Sequence, residues 1–113
     1  MKLDDLTIGE AKKLVSIFRK EDINDHPYDI GKKYFIRTVT MALVGTLTAV
    51  GSQELTLEDA AWVADTGRLG DFLVDGEKVV DEVEPFPDGK VFVGRGSIID
   101  VSEWRHDSLR KQK

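Results

Sequence analysis

Val39–Val63 reads VTMALVGTLTAVGSQELTLEDAAWV, and its reading decides the fold. Two apolar, threonine-rich runs flank Gly51-Ser52-Gln53, a turn-forming cluster. Leu55, Leu57, Ala61 and Val63 lie mostly two apart, the period of a half-buried strand. Gly45 interrupts the first run, where a strand interior disfavours glycine. Such a glycine marks a sharp bend or a close approach of backbone. A bent strand followed by a hairpin is how a small antiparallel sheet curls into a barrel.

Outward from this stretch, Tyr34–Met41 continues the strand character. Phe35, Arg37, Val39 and Met41 share one parity, and Tyr34, Ile36, Thr38 and Thr40 the other. Neither set is cleanly polar, as expected of a strand covered on both sides. The reversal into the next strand must fall near Thr40-Met41, although no Asn-Gly or Asp-Gly marks it. Further on, Val91-Phe92-Val93 and Ile98-Ile99-x-Val101 bracket Gly94-Arg95-Gly96. Two glycines around one arginine allow positive φ and would hold the guanidinium out on a tight loop.

Gly45-x-Leu47-x-x-Val50, the turn, and Leu55-x-Leu57-Glu58-Asp59-Ala60 resemble the first Sm motif of the Sm, LSm and Hfq proteins. Val91 to Val101, with its Arg-Gly turn, resembles the second. The likeness spans about Tyr34 to Val101. The chain is also similar to small proteins of tailed phages and prophages, in the runs YFIRTVTMALVG, EDAAWVADTGR and EPFPDG.

The Sm resemblance implies a mainly β fold. Its form would be a five-stranded, strongly bent antiparallel Sm/SH3-like barrel behind an N-terminal helix, with a long insert between the third and fourth strands. It implies a homo-oligomeric ring, a hexamer or heptamer, joined by strand pairing. The Arg-Gly turn would line a pore and bind RNA or a small nucleotide. Arg95 and Gly96 occupy that turn here. Gln53 and Glu54 stand where the family's acidic residue and Asn usually read a base. Arg37 and Trp62 complete the candidate ligand-binding set, Arg37 as a basic group at the rim and Trp62 as a surface for base stacking.

The N-terminal helix has its own signature. Thr7-x-x-Glu10 fits a capping box, and Ile8, Ala11, Leu14, Val15 and Phe18 recur at helical spacing, placing a helix over 7–20. Residues 21–33 form a polar connection, with Tyr28 and Ile30 packing it onto the barrel. The insert over 64–89 opens on Asp65-Thr66-Gly67 and feeds a short helix from Arg68 to Val74, whose apolar side is Leu69, Phe72 and Leu73. Val79, Val80 and Val83 suit a short strand. Glu84-Pro85-Phe86-Pro87-Asp88-Gly89 reads as a rigid turn, with Gly89 free to take a positive φ. Residues 1–106 form one domain, and 107–113 a mobile basic tail.

The chain has 113 residues, no cysteine and a net charge of −5. The charge argues against a wholly nucleic-acid-binding surface but allows a local basic site. Seven carboxylates between Asp71 and Asp88 oppose only Lys78; their spacing is not that of an EF-hand loop. With two histidines and no thiol, a transition-metal site is not expected. No activated nucleophile or phosphate-cradling loop is present. One short Asp-Thr-Gly copy does not make an aspartic protease. The expectation is therefore a non-enzyme without cofactor, cytoplasmic, and not bound to membrane. Alternatives are a phage accessory protein that sequesters a host nucleotide signal or defence protein, and a structural adaptor of the virion.

Overall fold

The computed structural model describes residues 26–113. The helix expected over 7–20 lies outside the described residues.

The fold is mainly β. Among the described residues six antiparallel strands form one unclosed sheet: β1 (Lys33–Thr38), β2 (Ala42–Val50), β3 (Glu54–Ala64), β4 (Glu82–Pro85), β5 (Val91–Gly94) and β6 (Ile98–Glu103). The order along the sheet is β4-β3-β2-β1-β6, with β5 also pairing β3. The expectation of five strands is corrected to six, because the insert contributes β4. The insert also holds an α-helix, α1 (Leu69–Asp75), a residue later than expected at each end.

β1 is buried on both faces, which explains its unpatterned sequence. Tyr34 and Ile36 join one core with Leu43, Leu47, Leu55 and Leu57. Phe35 joins a second core with Val44, Val63, Phe72, Val80 and Trp104. Alternate strand side chains point to opposite faces, so each core takes one parity. The β1–β2 reversal falls where expected. Threonine chemistry replaces Asn-Gly there: Thr38 Oγ1 accepts the Met41 N–H at 3.1 Å and donates to the Met41 carbonyl at 2.9 Å.

β3 does not keep one parity, contrary to its even spacing. Leu55 and Leu57 face the first core, whereas Ala61 and Val63 face the second. Between them Asp59 takes φ 50°, and the β2–β3 register slips from Thr46↔Glu58 to Val44↔Ala61. One extra residue on β3 is a bulge, and every side chain beyond it changes face. Gly45 lies opposite. A Cβ there would stand 3.1 Å from the Leu57 Cβ and 3.2 Å from the Ala60 Cβ. The glycine is thus a close approach, as its position in the sequence implies.

The bulge divides β3 between two partners. Its first half pairs β5 through Glu54↔Gly94 to Leu57↔Val91, and its second half pairs β4 through Ala61↔Pro85 to Ala64↔Glu82. The 84–89 turn is fastened to the bulge. Ala60 N–H donates to the Gly89 carbonyl at 2.8 Å, and Phe86 N–H to the Ala60 carbonyl at 3.0 Å. Gly89 takes φ +78°, as the turn requires.

α1 covers the second core through Phe72. The Phe72 ring meets Phe35 edge-on and lies against Trp104, at 4.9 Å between centroids in both cases. Trp104 in turn meets His106 at 4.8 Å. Such aromatic pairs add to simple area burial. They tie sheet, helix and C-terminal segment together.

The expectation of a mobile tail over 107–113 is corrected. Leu109 is buried in the second core. Arg110 donates to the carbonyls of Ala60 at 2.8 Å and Phe86 at 2.9 Å. Lys113 pairs its backbone with Val83. The segment has only one apolar side chain, so its composition reads as tail. What holds it is mostly backbone and guanidinium hydrogen bonding.

Candidate functional site

The β2–β3 turn and the β5–β6 connection meet at one end of the sheet. Gly51 N–H closes the first turn on the Glu54 carbonyl at 2.8 Å. The second is a single 3₁₀ turn, Arg95–Ser97, held by the Ser97 hydroxyl donating to the Gly94 carbonyl at 2.7 Å. Two contacts join them. Arg95 N–H donates to the Gln53 carbonyl at 2.8 Å, and Arg95 Nη1 to the Gly51 carbonyl at 2.9 Å. Arg95, Gly96, Gln53 and Glu54 are therefore brought together, with Gln53, Glu54 and Gly96 exposed and Arg95 half-buried.

The mechanism by which Arg95 is placed differs from the expectation. Gly94 has φ −64°, and Gly96 is not among the positive-φ residues, so neither glycine uses its special freedom. The guanidinium folds back to cap a carbonyl instead of projecting on a loop. The β2–β3 turn leaves that carbonyl outside the strand ladder, and a planar cation with five donors reaches it easily. Arg95 Nε and Nη2 make no hydrogen bond among the described residues.

Arg95 lines a shallow hollow of about 370 Å³ with Pro27, Tyr28, Ile98, Asp100 and Val101. Tyr28 is a binding candidate that the sequence reading assigned only to packing. It does pack on the first core, yet its ring also stacks on His26 with centroids 5.6 Å apart and planes 21° apart. The edge-on Tyr34 ring and the Tyr34 hydroxyl, which accepts the Asp29 N–H at 2.8 Å, hold this segment in place. The signal in the sequence was its position: an aromatic after His-Pro, just ahead of β1. Ile30, expected to pack, is exposed.

Arg37 is engaged by an acidic partner. It faces Asp100 across the β1–β6 ladder and grips both carboxylate oxygens, with Nε to Oδ1 at 2.7 Å. This hydrogen bonding, with the guanidinium's charge, holds the Asp100 carboxyl below the usual carboxylate range. Asp100 thus lines the hollow as half of a neutral pair. Trp62 does not belong to the site. It lies beyond the β3 bulge, registered with Leu43 and Glu84, and packs against the first core.

A larger hollow, about 690 Å³, opens near α1 and the C-terminal segment. Its walls mix Lys33, Lys78 and Arg105 with Asp75, Glu77 and Asp107, and so favour no ligand charge. His106 there is occupied, its Nε2 2.9 Å from the Leu73 carbonyl. Asp65 is exposed on a left-handed turn, its carbonyl accepting the Asp81 N–H at 3.2 Å. Among the described residues no His, Asp and Glu side chains gather in threes to hold a metal ion. No helix among them is long and apolar enough to cross a membrane.

No family model, curated protein or solved structure that was compared matches this chain.

Proposed function

We propose that this chain is a non-enzymatic, Sm-like binding module that takes a phosphate-bearing nucleotide unit, free or within RNA, beside Arg95. The observation that carries this reading is the shared hollow of Arg95 and Tyr28, next to the β2–β3 turn. A half-buried guanidinium with donors to spare suits a phosphate oxygen. An aromatic face beside it suits a base. The hollow lies at the small end of the ~300–1,000 Å³ range of ligand sites, which favours a single nucleotide unit over a long strand. Exposed Glu54 works in the same direction by repelling a continuous phosphate backbone.

The sheet supports the barrel reading in outline. β5 and β6 are joined by one 3₁₀ turn, and they pair with β3 and β1, at opposite sides of β2. Strands β1, β2, β3, β5 and β6 would then form the strongly bent Sm-like unit, with β4 as an addition. β5 and β6 each carry an exposed apolar residue, Phe92 at 65% and Ile99 at 63%. Open apolar edges invite pairing. Joining β5 of one copy to β6 of the next is a heterologous contact that closes into a ring.

Titration calorimetry with nucleoside monophosphates and a short oligoribonucleotide tests the binding reading. Salt-sensitive binding that falls at least ~10-fold in Arg95→Ala is the expected result, since hydrogen bonds to a charged group contribute about 1.5–3 kcal/mol. Binding that survives the change unaltered, or no binding by the unaltered chain, overturns it. The exposed edges also favour a second reading, a structural adaptor in which assembly matters and Arg95 does not. A phage-type accessory role would follow from the binding reading if the ligand were a host nucleotide signal.

A further inference from the structure

The outer edge of β4 is already occupied. Val83 N–H donates to the Lys113 carbonyl at 3.1 Å, and Lys113 N–H to the Val83 carbonyl at 2.9 Å. This reciprocal exchange is one rung of an antiparallel ladder. Side chains reinforce it. Leu109 is buried to 4% exposure among Phe72, Val80 and Trp104. The two Arg110 bonds to Ala60 and Phe86 fasten the bulge described above. Gln112 Nε2 donates to Glu84 at 3.1 Å, and Lys113 Nζ to the Glu77 carbonyl at 2.8 Å.

We infer that the β4 edge is a docking site for a short, extended, basic segment of a partner protein, in which a leucine directly precedes an arginine, and that residues 109–113 fill this site in cis. What the edge recognises is not peculiar to this segment: a strand backbone, an apolar side chain and a guanidinium. Any extended chain with that pattern supplies them, by strand addition. Charge selects a basic segment. Glu77, Asp81, Glu82 and Glu84 give the edge a net negative charge, which Arg110, Lys111 and Lys113 on the strap complement at a distance, the Arg110 and Lys113 side chains bonding backbone carbonyls. A second β4 is a poor occupant, because antiparallel pairing would bring Glu82 and Glu84 against their own counterparts. The tether holds the strap at a local concentration in the millimolar range, so the site is closed until a partner competes. This inference is independent of what Arg95 binds.

The chain has no cysteine, which allows a clean lock. The Val83–Lys113 register places Gln112 opposite Glu84, a separation that a disulfide spans. Three chains are compared: one ending at Ser108, the full chain, and the full chain with Glu84→Cys and Gln112→Cys oxidised. The probe is acetyl-Leu-Arg-Lys-Gln-Lys, followed by the NMR shift of the Val83 amide. The shortened chain should bind it, at least tenfold more weakly when the peptide's arginine is replaced by alanine. The full chain should respond only at millimolar peptide, and the locked chain not at all. Binding by the locked chain equal to the shortened one overturns the inference, as does a folded shortened chain that ignores the peptide. A shortened chain that dimerises through Val83 and is not parted by peptide would assign the edge to a second copy and overturn it too. If the shortened chain loses the near-UV signal of its tryptophans, the locked and unlocked full chains decide alone: equal responses overturn it.

Discussion

Arg37 and Asp100 stand opposite each other across the β1–β6 ladder, and the guanidinium takes both oxygens of the carboxylate. The pair settles what each residue can do. Arg37 makes a two-point contact with Asp100, and the charge that Asp100 sets beside Arg95 is neutralised by it. Lys32 and Glu103 repeat the arrangement near the other end of the strand pair, at 3.1 Å.

Acid should therefore weaken the β1–β6 edge through Asp100. Its folded-state carboxyl titrates below the ordinary value, chiefly through the hydrogen bond from Arg37. A depressed carboxyl contributes stability that is fully present above the unfolded value, about 3.9, and is lost as pH falls through the folded one. Asp100→Asn should lower stability near neutrality by a small amount, because a pair this exposed is largely screened, and that difference should vanish as pH falls, which flattens the variant's acid limb below about pH 4. Urea midpoints from pH 2 to 7 measure this. An unchanged acid limb in Asp100→Asn would place the titration elsewhere.

Gly45→Val is a substitution that strand propensity alone would favour. The structure expects the opposite. The new Cβ would press on Leu57 and Ala60 at 3.1 and 3.2 Å, both fixed in a buried region opposite the Asp59 bulge. Overpacking of this kind costs about 1–3 kcal/mol. Urea denaturation should show a lower midpoint at an unchanged slope. A neutral or stabilising result would mean that the β2–β3 bend is looser than its geometry.

How far the sequence foretold the structure depended on whether a feature is local. Gly45, the Gly51–Gln53 turn, the Gly89 turn and the short helix around Phe72 were legible because each is set by residues in its own segment. The change of face along β3 was not. Asp59 carries no mark of a left-handed bulge, and it adopts one because Ala60 is held by Phe86 and Gly89, over two dozen residues away. The C-terminal segment misled for the same reason. Its basic composition reads as tail, while its partners at Ala60, Val83 and Phe86 are distant in the chain. At the site, Gln53, Glu54 and Arg95 were foreseen to meet. Which carbonyl Arg95 caps, and that Tyr28 joins it, were not, because both need the two turns placed in space.

Two glycines in similar contexts should answer differently to alanine. At Gly89 φ is +78°, and a Cβ would stand 3.0 Å from the Asp59 nitrogen, which is backbone and cannot swing aside. The left-handed conformation alone costs about 1–2 kcal/mol, and the contact adds to it. At Gly96, inside the Arg-Gly turn, no atom lies within 4 Å of a new Cβ, and φ is not positive. Gly96→Ala should be neutral within about 0.5 kcal/mol, as for an unconstrained surface change. Paired thermal and urea melts of the two variants check this. A severe loss in Gly96→Ala would show that the turn needs its glycine for a purpose other than backbone conformation.

Assembly should depend on the edges of β5 and β6 that no other described strand pairs. Phe92 projects from β5, exposed, with the Lys90 ammonium 5.5 Å from the ring centroid. Ile99 is the extra residue where the β6 register slips against β1, and it too is exposed. Natural edges of this kind are kept apart by charge, most often lysine. Phe92→Lys and Ile99→Lys should each leave the melting temperature of the isolated subunit nearly unaltered, since neither side chain is buried. In sedimentation velocity each should turn a discrete ring into subunits, and mixing the two variants should give pairs but no ring, because β5 of the Ile99→Lys chain meets β6 of the Phe92→Lys chain without a lysine, whereas every other junction carries one or two. Sedimentation of the unaltered chain as a monomer at micromolar concentration would remove the ring. Unaltered association of both variants would remove the β5–β6 junction and send the search for an interface to another face of the sheet.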